Sequence, residues 1–279
     1  MSTDILHDAH LIERHTELIQ QIDPMFAVLE SRSPIRSDLV RLAAGTLAAV
    51  RIPEQLPRAR CADLARVLNS YQFDNYDERR IYPPVMKLGP ALFDYYLDGK
   101  IREDYWQHAE QSRASWTDIV GSDDPLETVI DTLRETWNGP VRPATVGGRP
   151  LFTGLVRELT GGARMHFDEV MREFPGTLDQ DLIAQFGFNC YISVPDQGGD
   201  LVVYRRRWKP SDEQFRLGYG WSEEIAWAEP RAVIKPDLGD SVYFDCRNYH
   251  SITKNVSGYR RSLSFFCGIT ADNELVLWS

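Results

Sequence analysis

Several signatures that would settle a function at once are missing from these 279 residues. No stretch approaches 18 continuous apolar residues, so no membrane-spanning helix is expected and no membrane partner. The start, Met1-Ser-Thr-Asp-Ile-Leu-His-Asp, has neither a basic n-region nor an apolar h-region, so no secretory signal is expected. Positive charge is in deficit: Lys and Arg number 31 against 41 Asp and Glu, a formal net charge of -10. A phosphate backbone wants a basic face, so nucleic acid is not expected as a partner. The local basic run Arg205-Arg206-Arg207 reads as a solvated strand end. The four cysteines show no Cys-x-x-Cys spacing and read as small buried thiols, which fits a reducing cytoplasm. Walker A and Gly-x-Gly-x-x-Gly cradles are absent, as are a Gly-x-Ser-x-Gly elbow and His-Glu-x-x-His. Nucleotide binding by those cradles, a serine hydrolase and a zincin therefore have no support.

What remains is an ordinary globular composition, 43% hydrophobic and 26% charged, long enough for a sizeable core. The chain reads as two regions of one globular unit. Residues 1–140 are expected to be mainly helical and to include a substrate lid; residues 141–279 are expected to form the catalytic core. Helices are expected over His10 to Ile22, Arg60 to Leu68, Ala91 to Tyr105 and Pro125 to Trp137, with Ser122-Asp123-Asp124-Pro125 supplying a cap. Leu42 to Ile52 is ambiguous and Asp74 to Pro84 reads as a loop. After Asn138-Gly139-Pro140 the character changes. Short stretches rich in Val, Ile, Phe and Tyr follow at Phe152 to Leu159, Ala163 to Asp168, Phe186 to Val194, Leu201 to Arg206 and Ala232 to Lys235. Others are Ser241 to Phe244, Tyr249 to Thr253, Arg261 to Ile269 and Glu274 to Trp278. Gly198-Gly199-Asp200 and Pro236 to Asp240 are turns between them. This pattern suggests an α+β, mainly β fold whose core is a double-stranded β-helix, a cupin-like jelly roll.

Histidine is scarce, and its placement is informative. Four of the six are at positions 7, 10, 15 and 108; the other two are His166 and His250. His166-Phe167-Asp168 places two ligand types two residues apart, which strand alternation would put on one face. With His250 they form a candidate 2-His-1-carboxylate set, which leaves positions open on a metal for a bidentate cosubstrate and dioxygen. Arg260 and Ser262 alternate, so they also share a face; a guanidinium and a hydroxyl suit the far carboxylate of such a cosubstrate. The bland alternative is an Arg-Arg pair at a strand start facing water.

The string His166-Phe167-Asp168, His250 and Arg260-Arg261-Ser262 resembles the Fe(II)/2-oxoglutarate-dependent oxygenases. With Gly198-Gly199-Asp200-Leu-Val-Val-Tyr204, Gly239-Asp240, Tyr249-His250 and Leu277-Trp278-Ser279, the resemblance is closer to the freestanding indole-alkaloid halogenases and their hydroxylase relatives. It spans roughly residues 150 to 279, with a weaker echo over Arg51 to Leu68. It implies His166, Asp168 and His250 as iron ligands, Arg260 and Ser262 on 2-oxoglutarate, and Arg157 and Tyr191 as further cosubstrate contacts. Fe(II), 2-oxoglutarate and dioxygen are the implied cofactors, with ascorbate in support. In the halogenases the carboxylate position is Gly and chloride takes the vacated place; Asp168 here points to hydroxylation of an unactivated C–H bond of a small molecule, a secondary metabolite or amino-acid derivative, releasing succinate and carbon dioxide. Desaturation, epoxidation and cyclisation use the same cofactors and stay open, as does a cupin that binds metal without 2-oxoglutarate or without catalysis. Tyr82, Tyr219 and Trp221 are candidate substrate contacts, from an aromatic loop and from the stretch Phe215 to Trp227; core packing is the other reading. The enzyme is expected to be a cytoplasmic monomer or homodimer.

Overall fold

The layering follows from alternation along the strands, as a computed structural model of residues 23–78 and 80–279 makes plain. In the strand Arg261–Thr270, Leu263, Phe265, Cys267 and Ile269 enter one apolar cluster. Successive side chains point to opposite faces, so Ser262, Ser264 and Phe266 face the other way. Phe186, Phe188 and Cys190 of the neighbouring strand Leu182–Ser193 join the same cluster. Helices complete it from outside. Pro125–Trp137 contributes Leu126, Val129, Ile130, Leu133 and Trp137, one stripe at helical spacing. Arg36–Ala43 adds Leu39 and Leu42, and Arg58–Leu68 adds Cys61, Leu64 and Leu68. The cap expected at Pro125 is present: Asp124 Oδ1 accepts the Leu126 N–H at 2.8 Å and the Trp116 indole N–H at 3.0 Å.

The large sheet has ten strands. Eight run in the order Val28–Glu30, Ala49–Ile52, Ser241–Phe244, Leu182–Ser193, Arg261–Thr270, Leu155–Glu158, Met86–Leu88, Asp74–Asn75. Leu275–Trp278 pairs with Arg261–Thr270 and with Val141–Pro143. A second sheet has four strands, in the order Ala163–His166, Asn248–Ile252, Leu201–Arg207, Arg231–Ile234. The inner faces of the two sheets meet in a second apolar cluster, where Tyr191, Val242 and Phe244 pack with Leu201, Val203, Ala232 and Ile252.

The N-terminal part differs from the sequence expectation in three places. It is helical but also contributes four strands to the large sheet, so backbone pairing continues across residue 140. Leu42 to Ile52 divides into the end of Arg36–Ala43 and the strand Ala49–Ile52. The helix expected over Ala91 to Tyr105 is one turn, Leu92–Tyr95, then a hairpin of Tyr96–Leu97 with Lys100–Ile101, then a long helix, Asp104–Val120. Asp98 and Gly99 take φ of 50° and 80°, left-handed positions that suit a tight hairpin and break a helix. The helix expected over His10 to Ile22 lies outside the described residues. No helix among those described is long and apolar enough to cross a membrane. The arginine run ends its strand with Arg205 and Arg207 exposed, as expected of a solvated strand end, and each side chain is paired: Arg205 with Asp23, Arg206 with Asp212 and Glu229, and Arg207 with Asp245.

Candidate active site

His166 ends the strand Ala163–His166, and His250 is its register partner in Asn248–Ile252. Residues directly opposed on antiparallel strands share a face, so the two rings meet with centroids 4.3 Å apart. His166 Nδ1 lies 2.7 Å from the Arg164 carbonyl oxygen, and His250 Nδ1 lies 3.0 Å from that of Asn248. A carbonyl only accepts, so each Nδ1 carries the proton and each Nε2 keeps a lone pair.

Asp168 joins them by a different route from the alternation expected of the sequence. The strand stops at His166, and the Asp168 N–H donates to the Cys246 carbonyl at 2.8 Å. Gln185 clamps the same turn: its amide nitrogen donates to the Asp168 carbonyl at 3.1 Å and its amide oxygen accepts the Val170 N–H at 2.9 Å. Asp168 Oδ2 then stands 3.3 Å from His250 Nε2 and 3.8 Å from His166 Nε2. One donor atom from each residue lies within 4.8 Å of the others. Three donors about 2.1 Å from one ion, at right angles, would stand about 3 Å apart, so the set is close to the spacing a cation needs.

The charge states agree. Burial, then repulsion from His250, brings His166 down to about 4, so its ring is neutral near pH 7. Burial raises Asp168, but the neighbouring His166 and His250 rings and the Arg157 charge outweigh it and leave Asp168 at about 2. A neutral imidazole such as that of His166 and an ionised carboxylate are forms a divalent cation binds.

The triad opens onto a cavity of about 700 Å³, within the range that holds small-molecule ligands. Arg260 is on its wall and only 1% exposed. Its Nε donates to the Gly199 carbonyl at 2.8 Å, its Nη2 to the Tyr191 hydroxyl at 3.4 Å, and the guanidinium sits 5.0 Å from the Tyr191 ring centroid. No carboxylate among the described residues pairs with it. The Gly-Gly-Asp turn explains its aim. Gly198 and Gly199 have φ of 80° and 74°, and a Cβ on Gly198 would lie 2.1 Å from the Lys254 carbonyl oxygen, so only glycine lets this turn pack there and present the Gly199 carbonyl. Ser262 is beside the wall rather than on it; its Oγ lies 2.9 Å from Ser264 Oγ and 3.4 Å from Asn189 Oδ1. Ser264 donates to the same Asn189 oxygen at 2.8 Å, which leaves the Asn189 NH2 for the cavity it lines.

Arg157 lines the cavity as the register partner of Ser262. Its Nε donates to the Tyr76 hydroxyl at 3.1 Å, its guanidinium is 5.2 Å from the Phe266 ring centroid, and no described carboxylate pairs with it. Tyr219 and Trp221 are on the wall. Tyr219 accepts the Arg164 N–H at 2.8 Å and sets its ring edge-on to His166, with centroids 5.4 Å apart. Trp221 packs on Phe167, centroids 5.1 Å apart. Tyr82 is elsewhere: it is 64% exposed, off the wall and 6.0 Å from the Arg164 guanidinium. Sequence reasoning missed Gln185, Asn189 and Glu173. Glu173 closes the single helical turn Val170–Glu173 and lines the cavity. Its Oε2 accepts the Glu169 N–H at 3.0 Å, and burial, then the charge of Asp168, push its carboxyl up to about 8. Nothing in the string Glu-Val-Met-Arg-Glu after the triad distinguishes it from a solvated turn.

A family model described as carrier-protein-independent halogenase WelO5 matches residues 31–279. The chain is 37% identical over 261 residues to an L-gamma-glutamyl-L-propargylglycine hydroxylase of Streptantibioticus cattleyicolor, covering 91% of this chain and 96% of that relative. It is 24% identical over 229 residues to leucinostatins biosynthesis cluster protein S of Purpureocillium lilacinum, over 74% of this chain and 90% of that one. Among solved structures it is similar to an N-substituted L-amino acid dioxygenase from Burkholderia ambifaria. The TM-score is 0.57 at 15% identity, over 88% of this chain and 91% of that one. That likeness concerns the fold.

Proposed function

The chain belongs to the carrier-protein-independent halogenase family, and from that premise we propose that it is a hydroxylating branch of it: a non-haem Fe(II)/2-oxoglutarate-dependent oxygenase acting on an amino-acid-derived small molecule. The observation that carries this reading is Asp168, whose oxygen stands with both Nε2 atoms at metal-ligand spacing. An anionic carboxylate on the metal occupies the place a halide would need. The relative most alike in sequence among those named is a hydroxylase, which agrees.

His166, Asp168 and His250 would hold Fe(II), which, bound with 2-oxoglutarate and dioxygen, supplies the oxidising power to convert a C–H bond to C–OH while the cosubstrate becomes succinate and carbon dioxide. The chain's own residues do the rest. The Arg164 and Asn248 carbonyls fix the imidazole tautomers, and Gln185 keeps the Asp168 turn in place. Arg260 takes the distal carboxylate of 2-oxoglutarate, oriented by Gly199 and Tyr191, with Ser262 bracing Asn189 beside it. A buried guanidinium with no acidic partner needs an anion, and the cosubstrate provides it. Tyr219 and Trp221 form part of the substrate wall. The two facing sheets are read as a double-stranded β-helix, and the described residues up to 140 as flanking structure that helps cover the cavity. The buried free thiols suit a reducing cytoplasm.

The test is stoichiometric turnover. With Fe(II), 2-oxoglutarate, dioxygen and a panel of amino-acid derivatives, one succinate is expected per product heavier by one oxygen, with no chlorinated product in excess chloride. A halogenated product, or product without succinate, overturns the reading.

A further inference from the structure

Two carbonyl oxygens hold two of the three triad residues. The Cys246 carbonyl accepts the Asp168 N–H at 2.8 Å, and the Asn248 carbonyl lies 3.0 Å from His250 Nδ1. Both come from one short crossing. Residues 245–247 lead from Ser241–Phe244 of the large sheet to Asn248–Ile252 of the second sheet. They lie outside both ladders, so other groups must take their polar atoms and fix their shape. Those groups are charged and buried: Asp245 is 0% exposed and Arg247 8%. Asp245 Oδ1 accepts the Arg247 backbone N–H at 3.1 Å and its Nε at 2.9 Å. Oδ2 accepts Arg247 Nη2 at 3.0 Å and, at 2.7 Å, Nη2 of Arg207, the register partner of Asn248. The Asp245 carbonyl takes the Asn248 N–H at 3.1 Å.

Arg247 then ties the crossing to two more elements. Its Nη2 donates to the Ala43 carbonyl at 3.3 Å and its Nη1 to the Ile183 carbonyl at 3.2 Å. Ala43 ends the helix Arg36–Ala43, where carbonyls lack helical partners and a cation is favoured. Ile183 is at the irregular start of Leu182–Ser193, two residues before Gln185, whose amide nitrogen lies 3.5 Å from Cys246 Sγ. A buried ion pair adds little net stability, and apolar side chains of similar volume often replace it without loss. What this one supplies is a fixed shape. We infer that Asp245 and Arg247 are positioning residues for the metal centre: they hold the crossing so that the Cys246 and Asn248 carbonyls present Asp168 and His250 to one ion. The inference rests on the proposed function, which takes His166, Asp168 and His250 as the metal ligands, and it joins the helix Arg36–Ala43 to that centre.

The test sets metal binding against stability. Removing one partner of a buried pair strands the other charge, so the main variant, D245L/R247M, replaces both. R247K keeps a cation beside Asp245 but lacks the fork that also reaches the Ala43 and Ile183 carbonyls. Mn(II) and Co(II) are titrated into each protein, beside thermal melts without metal. D245L/R247M is expected to bind both ions about 10- to 100-fold more weakly, as for other groups that orient a ligand, and to melt within about 4 °C of wild type. Its Co(II) absorption at saturation should differ from wild type, because that absorption follows ligand geometry. R247K should fall between the two, and it decides by the same criteria if the double variant does not fold. Unchanged affinity in folded protein overturns the inference. So does an unchanged Co(II) spectrum, which, with a lowered melting temperature, marks a role in stability alone. Wild-type protein that binds neither ion, or binds them no better than H250A, refutes the proposed metal site instead.

Discussion

Replacing Arg260 with Gln removes a positive charge from a site that is 1% exposed and has no acidic partner among the described residues. The account makes two expectations of opposite sign from this. Without cosubstrate, Arg260 is a desolvated cation held by one carbonyl at 2.8 Å and one weak hydroxyl contact at 3.4 Å. Removing it relieves desolvation, so cosubstrate-free R260Q should melt no lower than wild type, as for other residues kept for binding at the expense of stability. With cosubstrate, the same change leaves a carboxylate buried and unpaired. Breaking a buried pair by removing one partner costs about 3–5 kcal/mol. At about 1.4 kcal/mol per tenfold, 2-oxoglutarate affinity should fall roughly a hundredfold to a few thousandfold. R260K keeps the charge but loses the two-pronged grip, so it should fall between. The assay is anaerobic titration of 2-oxoglutarate into Fe(II) enzyme, beside thermal melts without cosubstrate. Unchanged cosubstrate affinity in R260Q refutes the assignment, and a large loss of cosubstrate-free stability shows that Arg260 serves packing instead.

Other expectations follow from the same geometry. Q185L deletes the clamps on Asp168 and Val170; metal affinity should drop about 10- to 100-fold, as for other groups that orient a ligand, and Fe(II) or Mn(II) titration with a fold check by circular dichroism reads it. His166 has a folded value of about 4 against 6.5, so the unfolded chain binds more protons between those limits. Metal-free stability should therefore be intact above pH 6.5 and fall as pH drops toward 4, by at most about 1.4 kcal/mol per pH unit. H166Q should flatten that slope in denaturant melts, and an unchanged slope would show that His166 is not the group responsible. D124A removes a helix cap and the Trp116 bond; it should lower stability by about 1 kcal/mol and leave activity per folded molecule unchanged.

The strands were the legible part of the fold because runs such as Ser241–Phe244 and Arg261–Thr270 are apolar, β-branched or aromatic and bounded by turns. The long helix Asp104–Val120 was not legible: only Tyr105, Ala109, Ile119 and Val120 are buried, too few for a clear stripe. Ala49–Ile52 is ambiguous in the sequence because four residues carry no period. In the site, the His-x-Asp step and the lone distal His were visible as residue types. Asp168 is delivered by a bond to the Cys246 carbonyl and not by the strand alternation that the His-x-Asp step suggests. Arg157 and Tyr191 come next to the site because register places both beside Ser262. Gln185, Asn189 and Glu173 depend wholly on such register and on a turn, neither of which local composition encodes. The stretch 210–230 did reach the cavity through Tyr219 and Trp221, whereas Tyr82, equally aromatic, points to solvent.

The most direct measurement is the visible spectrum of the enzyme with Fe(II) and 2-oxoglutarate under argon. Wild type is expected to develop a weak charge-transfer band when the cosubstrate chelates iron held by His166, Asp168 and His250, and H250A should not. No band in folded wild type, or a band that survives in H250A, would contradict the assignment of this triad.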